Sequence, residues 1–503
     1  MSAIETPKLS TEVQVEDLEV VIVGAGMSGV GAAYYLQQSL PDKSYAILEA
    51  RDAIGGTWDL FKYPGIRSDS DLHTYGFAFK PWTGDQSIAD GKAIMDYISE
   101  TVAENEIDKN IRFAQRVIRA EWNSDESRWT VDVEQVGSGE VRQLTCSWLF
   151  CASGYYRYDK GYLPHFNGTA DFSGQIIHPQ AWPQDLDYKG KRVVVIGSGA
   201  TAVTLVPAIA RDAAHVTMLQ RSPSYVVAVP EEDKIANFLR RHLSPNRAYR
   251  VVRRKNIWMQ KMIYTLSQKY PKLVKRLIRW QLQYLLPKGY DIGKHFTPDY
   301  NPWDQRLCSV PNADLFTSIS RGSSSVVTDT IDSFTHDGIR LGSGEELAAD
   351  IIITATGLDV QLFGGLEMVV DGKSVNLPDH YVYKGSMLSD VPNFNFAIGY
   401  TNSSWTLKID LVCQYMCRLI EQMDRQGATK SLPVGPRETM TTRPLLDFGA
   451  GYVSRAAHLF PKQGVGQPWE LTMSYWTDVK RLNEPVADGI MDFSGSSRAV
   501  EKI

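Results

Sequence analysis

Two strand–turn–helix units with glycine-rich turns, one opening at Gly24 and the other at Gly197, constrain this chain more than any other feature. Leu18-Glu-Val-Val-Ile-Val23 reads as a buried parallel strand; Gly24-Ala-Gly26-Met-Ser-Gly29 and an apolar helix from Val30 to Gln37 follow at once. In such a turn the first glycine permits the tight bend and the second lets the backbone approach a pyrophosphate. The third allows helix and strand to pack closely, and the helix N-terminus faces the phosphates. The strand Tyr45-Ala-Ile-Leu48 ends at Glu49, where a carboxylate accepts the ribose hydroxyls of a dinucleotide. The second unit runs Arg192-Val-Val-Val-Ile196, Gly197-Ser-Gly199-Ala200-Thr201-Ala202, a helix, and a strand from His215 to Leu219. Ala202 replaces the third glycine and still permits fairly close packing. This strand ends at Gln220-Arg221-Ser222 and not at an acid. A carboxylate there would repel a 2′-phosphate, whereas Arg221 can form a bidentate pair with it, so the second site favours NADPH over NADH.

A chain of 503 residues predicts two or three domains. Hydrophobic content of 43% and charged content of 22% fit a soluble globular protein, and a net charge of -5 implies no nucleic-acid partner. Five cysteines (Cys146, Cys151, Cys308, Cys413, Cys417) form neither a CxxC pair nor a metal-ligand cluster, and their number is odd. They read as reduced thiols of a cytoplasmic protein without a metal site. Met1 to Asp17 lacks a basic region followed by an apolar run, so no signal peptide is expected, and residues 1–16 read as a disordered arm. No apolar run approaches the length of a membrane span.

The fold class that follows is α/β, with two Rossmann-like dinucleotide-binding domains and a helical insert. From Lys234 to Tyr290 there is no Asp or Glu, while arginines and lysines interleave with apolar and aromatic residues. Two or three amphipathic helices are expected there. The plain reading is a solvated basic face balanced by an acidic remainder. Two sharper ones are a field that draws in NADPH and acidic metabolites, and loose attachment to an anionic membrane surface without insertion. A small sheet is expected from Ser325 to Asp329 and Ile339 to Leu341. The strand and turn Asp350-Ile-Ile-Ile-Thr-Ala355-Thr356-Gly357 come next, with a return to the first domain from about Ser386.

Between the two glycine turns stands Phe172-Ser-Gly174-Gln-Ile-Ile-His178-Pro-Gln-Ala-Trp182-Pro183. Its F-x-G-x-x-x-H-x-x-x-W-P form resembles the fingerprint of the type I Baeyer–Villiger monooxygenases. Gly55-Gly56-Thr57-Trp58, followed by Tyr63-Pro64-Gly65-Ile-Arg67-Ser-Asp69 and an aromatic stretch from Tyr75 to Trp82, resembles that family's second pattern. Asn301-Pro-Trp-Asp304-Gln305-Arg306-Leu-Cys308 resembles the segment that carries its catalytic arginine, with Gln305 in place of the common lysine. The D-Q-R-L-C form is similar to the subgroup containing the ethionamide-activating monooxygenases. The resemblance runs from about Leu18 to Trp405.

The resemblance implies an FAD- and NADPH-dependent monooxygenase that inserts one oxygen from O2 beside a ketone carbonyl to give an ester or lactone, and that also oxidises sulfides. It implies an FAD-binding domain of residues 17–154 and 385–503, an NADPH-binding domain of 155–225 and 301–384, and the insert at 226–300. Arg306 and Asp69 would be catalytic. Gly24, Gly26, Gly29, Glu49, Gly56, Thr57, Trp58, Asp69, Tyr75 and Trp405 would serve the flavin, with Trp58 and Tyr63 as flat walls. Gly197, Gly199, Ala200, Thr201, Arg221 and Ser222 would serve NADPH. Asn402-Ser-Ser-Trp405 opens a helix whose N-terminal amides could stabilise negative charge on the reduced flavin. His178 is expected to be a structural hinge group and not a proton donor to substrate. Two alternatives stand beside this reading: a heteroatom monooxygenase with little ketone activity, and a non-catalytic FAD/NADPH-binding sensor.

Overall fold

The computed structural model describes residues 15–495 apart from 306, 437, 439, 447, 448 and 450. The expected arm therefore lies outside the described residues up to position 14, and Glu16 already begins a strand, Glu16–Val23. That strand lies inside a nine-stranded sheet, third from one edge. Tyr45–Leu48 pairs with it in parallel on one side and Val141–Cys151 on the other, with Ile111–Arg112 beyond Tyr45–Leu48. Val20, Val21 and Ile22 are fully buried, as expected of a parallel strand covered on both faces. The strand Val141–Cys151 is long enough to serve two neighbours. Its first half pairs antiparallel with Arg128–Gln135, and its last residues pair in parallel with Phe394–Phe396. Helices Met27–Ser39 and Trp405–Gln426 pack together on one face of this sheet.

A second, five-stranded sheet is parallel throughout, in the order Ser324–Thr328, His215–Gln220, Arg192–Ile196, Ile351–Thr354, Gln175–Ile177. The fingerprint stretch thus supplies its edge strand. The expected small sheet needs correcting. Ser324–Thr328 joins the parallel sheet, and the small antiparallel sheet is built from Ile331–Thr335, Gly338–Leu341 and Glu346–Ala348. The return to the first sheet also comes earlier than Ser386, because Glu367–Val370 already pairs in parallel with Gln115–Asn123.

The insert holds four helices: Lys234–His242, Pro245–Lys269, Pro271–Leu285 and Ile292–Phe296. Asp233 caps the first, accepting hydrogen bonds from the Ile235 and Ala236 amides, and Pro245 and Pro271 open the next two, where a missing N–H costs nothing. Val226–Val229 and Cys308–Pro311 pair in parallel across the base of the insert. All five cysteines are buried and none is in a disulfide among the described residues, where no helix is long and apolar enough to cross a membrane either.

Candidate functional site

The first glycine turn has the geometry its sequence demands. Gly24 has φ +102, and a Cβ there would lie 3.0 Å from the Ala152 carbonyl. A Cβ on Gly29 would sit 1.9 Å from the Gly24 carbonyl, so only glycine lets the helix close on the strand. Gly26 faces the backbone of Gly56, whose φ is +56. Glu49 is buried; its carboxylate accepts the Ala25 amide at 2.7 Å and the Arg51 amide at 2.9 Å. It is thereby aimed across the turn. Thr57 and Trp58 begin the short helix Thr57–Leu60, and the Trp58 indole donates to the Tyr75 hydroxyl at 2.7 Å. Burial holds the Tyr75 phenol well above its ordinary range, against the Trp58 hydrogen bond and with the Asp69 charge adding to the rise. It is a neutral phenol.

The second turn differs in one instructive way. Gly197 has φ +139 and a Cβ would meet the Ala355 carbonyl at 2.3 Å, but around Gly199 there is open space. That space is where a pyrophosphate could approach the backbone. Helix Ala200–Ile209 follows, with Ala202 fully buried against the sheet. Arg221 and Ser222 are exposed at the end of His215–Gln220, and Arg221 makes no ion pair with a described residue.

One cavity of about 2070 Å³ connects the two turns. Gly24, Gly26 and Glu49 line it from the first; Gly199, Ala200 and Thr201 line it from the second. Gly56, Thr57, Trp58, Asp69, Tyr75 and Trp405 form wall between them, as does Tyr63, whose ring also packs edge-on to Phe61 in the second core, the apolar cluster that includes Val193, Val195 and Ile353 of the five-stranded sheet. Gln305 and Leu307 line the cavity as well, while Arg306 itself lies outside the described residues. Gly29, Gly197, Arg221, Ser222 and the fingerprint residues are not in its wall.

The fingerprint acts from behind. Phe172 is buried edge-on to Phe334, and a Cβ on Gly174 would come within 2.3 Å of the Asp350 carbonyl. Trp182 packs at the margin of the second core, and Pro183 is exposed. His178 accepts the Gln180 amide on Nδ1 at 3.2 Å, which leaves Nε2 as the protonated nitrogen, 3.3 Å from the Gly357 carbonyl. Burial lowers its pKa against that second hydrogen bond. Gly161 lies flush on the imidazole, since a Cβ there would be 1.9 Å from the ring. His178 therefore joins the two crossings between the sheets, near Gly161 and at Gly357.

Sequence reasoning missed the polar ties that close the cavity. Asp71 caps the helix Leu72–Tyr75 and accepts from Asn256 at 2.8 Å and from Gln260 at 2.8 Å. Gln260 in turn accepts from Ser403, just before helix Trp405–Gln426. The Trp405 indole donates to Ser28 at 3.0 Å, and its ring stacks on Tyr155. Arg67 pairs with Asp314 of the second sheet's layer. An Asp that caps a short helix was a local signal; its partners from the insert had none. In the wall, Asn402 donates to the Met473 carbonyl while its buried Oδ1 has no partner among the described residues.

Comparison with known proteins gives concordant results. The model of flavin-binding monooxygenase-like proteins matches residues 81–285, and that of NAD(P)-binding Rossmann-like domains matches residues 22–85. The FAD-containing monooxygenase EthA of Mycobacterium tuberculosis is 54% identical over 474 residues, 94% of this chain and 96% of that protein. The probable FAD-binding monooxygenase AlmA of Acinetobacter baylyi is 46% identical over 488 residues, 96% of this chain and 98% of that protein. Among solved structures, an oxidised steroid monooxygenase bound to NADP is similar with TM-score 0.76 at 20% identity, covering 95% of this chain and 99% of that one. The cyclohexanone monooxygenase from Rhodococcus sp. Phi1 bound to NADP+ is similar with TM-score 0.68 at 21% identity, covering 84% and 87%. At those identities the structures share the fold.

Proposed function

The chain belongs to the EthA-like FAD-containing monooxygenases, and from that premise we propose that it inserts one atom of O2 beside a ketone carbonyl, and also oxidises sulfides to sulfoxides. FAD and NADPH are its cofactors. The reaction balances as ketone, O2, NADPH and a proton giving ester or lactone, NADP+ and water. The observation that carries the reading is the single cavity onto which both glycine turns open.

The residues present fit both groups. The open space at Gly199, the bend at Gly24 and the buried Glu49 carboxylate make two dinucleotide cradles, and the orphaned Asn402 Oδ1 leaves an acceptor for a ligand donor. We assign the FAD-binding domain to residues 17–154 and to the return from Glu367 onward, and the NADPH-binding domain to 155–225 and 301–366, with 226–300 as the insert. Bound FAD, reduced by NADPH, supplies the activation of O2 that no side chain can. The chain supplies position, charge and a dry wall. Glu49 takes the ribose hydroxyls, and the amides after Gly24 and Gly199 take the two pyrophosphates. Thr201 stands with the second pyrophosphate cradle, and Arg221, beside Ser222, selects the 2′-phosphate of NADPH. Trp58, its indole tied to Tyr75, is a flat apolar side, and the amides opening helix Trp405–Gln426 face negative charge beside it. Arg306, next in sequence to the wall residues Gln305 and Leu307, would be the cation for negative charge on the reacting oxygen, and Asp69 in the wall would tune it. His178 holds the crossings between the two sheets and moves no proton to substrate.

Turnover under 18O2 with a cyclic ketone and an aryl sulfide, each with NADPH, tests this. Label in the ester or lactone is the expected result. Label in sulfoxide alone would replace it with the heteroatom reading. NADPH oxidation without labelled product from either would reject oxygenation altogether.

A further inference from the structure

The outer surface of the helical insert has no use in the site described above. Between Lys234 and Tyr290 stand fifteen Lys and Arg and no acid. Three of them pair with carboxylates: Arg240 with Asp85, Arg253 with Asp410 and Lys255 with Asp233. None of the others forms an ion pair with a described residue. The same segment exposes large apolar side chains in ordered rows. On helix Pro271–Leu285, Leu273, Leu277, Trp280 and Tyr284 recur at the i, i+4, i+7, i+11 spacing of one face, and are 51%, 56%, 68% and 83% exposed. Ile278 and Leu282, on the opposite face, are buried in the second core. This helix is apolar on both sides, and among the described residues only one side is covered. On helix Pro245–Lys269, exposed Val251, Trp258 and Met262 form a row beside Arg247, Arg254 and Lys261.

We propose that this face binds the surface of an anionic lipid bilayer, with the apolar rows in the headgroup–acyl boundary and the unpaired cations on the lipid phosphates. Three arguments select that occupant. A second copy in a two-fold contact would bring two uncompensated positive surfaces together. A nucleic acid would satisfy the cations but leave the Leu and Trp rows wet. An anionic bilayer satisfies both, and no described helix can cross one, so the attachment is interfacial. The placement also bears on substrate entry. Helix Pro245–Lys269 turns Met259, Gln260 and Ile263 toward the large cavity while carrying Trp258 and Met262 outward, so a membrane-dissolved substrate would meet the protein beside its own cavity wall.

Flotation of the holoenzyme with phosphatidylcholine vesicles, with and without phosphatidylglycerol, tests the proposal. The expected result is binding to the anionic vesicles only, weakened by salt. Two double variants, Leu277→Ser with Trp280→Ser and Arg276→Glu with Arg279→Glu, should each lower partition at least tenfold. Both should keep parental NADPH oxidation, because all four side chains are outside the cavity wall. Failure of the parent to float with anionic vesicles, or equal flotation of the variants, would overturn the proposal. So would a parental dimer in sedimentation that the serine variant converts to monomer without any vesicle binding, or retention of the parent by duplex DNA in place of vesicles.

Discussion

At the scale of single residues, the two nucleotide turns differ in one charge. Glu49 is buried and held by two backbone amides, whereas Arg221 is exposed with no carboxylate partner among the described residues. An exposed cation that pairs with a phosphate contributes about 1.5–3 kcal/mol at most, and screening takes the effect toward the lower end. Arg221→Ala should therefore raise the KM for NADPH about tenfold and leave the KM for NADH nearly unchanged, with kcat preserved for both. Steady-state kinetics with the two coenzymes checks this, and equal effects on both would remove the phosphate assignment. Arg306 makes a different demand. If it serves the reacting oxygen, Arg306→Ala should lower ketone turnover by about 10²–10³-fold while anaerobic flavin bleaching by NADPH keeps its rate. Ester formation at the parental rate would refute the role.

Elements explain what was legible in the sequence and what was not. Both strand–turn–helix units stand where the glycine spacing puts them, because the bend at Gly24 and the contact of Gly29 with its carbonyl are local requirements. Strand partners are a remote matter. Nothing within Ser324–Thr328 distinguishes a fifth parallel strand from a hairpin, and nothing within Glu367–Val370 announces its pairing with Gln115–Asn123. The buried Arg253 reads in sequence as one more surface cation. The fingerprint lies between these cases: its pattern was visible, but its task as the edge strand Gln175–Ile177 was not. Gly174→Ala tests that task. A methyl group 2.3 Å from the Asp350 carbonyl would push the edge strand away and loosen the His178 contact with Gly357. Overpacking of this kind costs about 1–3 kcal/mol, so a lower melting temperature and weaker NADPH binding are expected together. Unchanged values of both would mean that the fingerprint backbone carries no such constraint.

Across the whole molecule, a buried knot is among the ties that fix the insert to the first domain. Arg253 donates to the carbonyls of His73, Thr74 and Gly76 and to Asp410 at 3.0 Å, and Tyr249 donates to the Phe77 carbonyl at 2.9 Å. His73 lies inside this knot, almost fully buried, with neither ring nitrogen bonded to a described residue. Burial lowers its pKa; Asp71 and Asp233 oppose that shift, Arg240 and Lys255 add to it, and the Tyr249 ring is alongside. Folding thus disfavours the protonated His73 ring, while in the unfolded chain the imidazole takes a proton below its ordinary 6.5. The unfolded state then binds more protons, so stability rises with pH through this window. The titration of His73 costs nothing above about pH 7, and as pH falls below 6.5 stability is lost at up to about 1.4 kcal/mol per pH unit. His73→Leu removes that titration and fills the same buried space. The variant should match or exceed the parent at pH 5 and show a smaller loss of melting temperature between pH 7 and pH 5. Thermal unfolding at three pH values decides it: parallel curves for parent and variant would mean that His73 finds a proton partner in the folded chain.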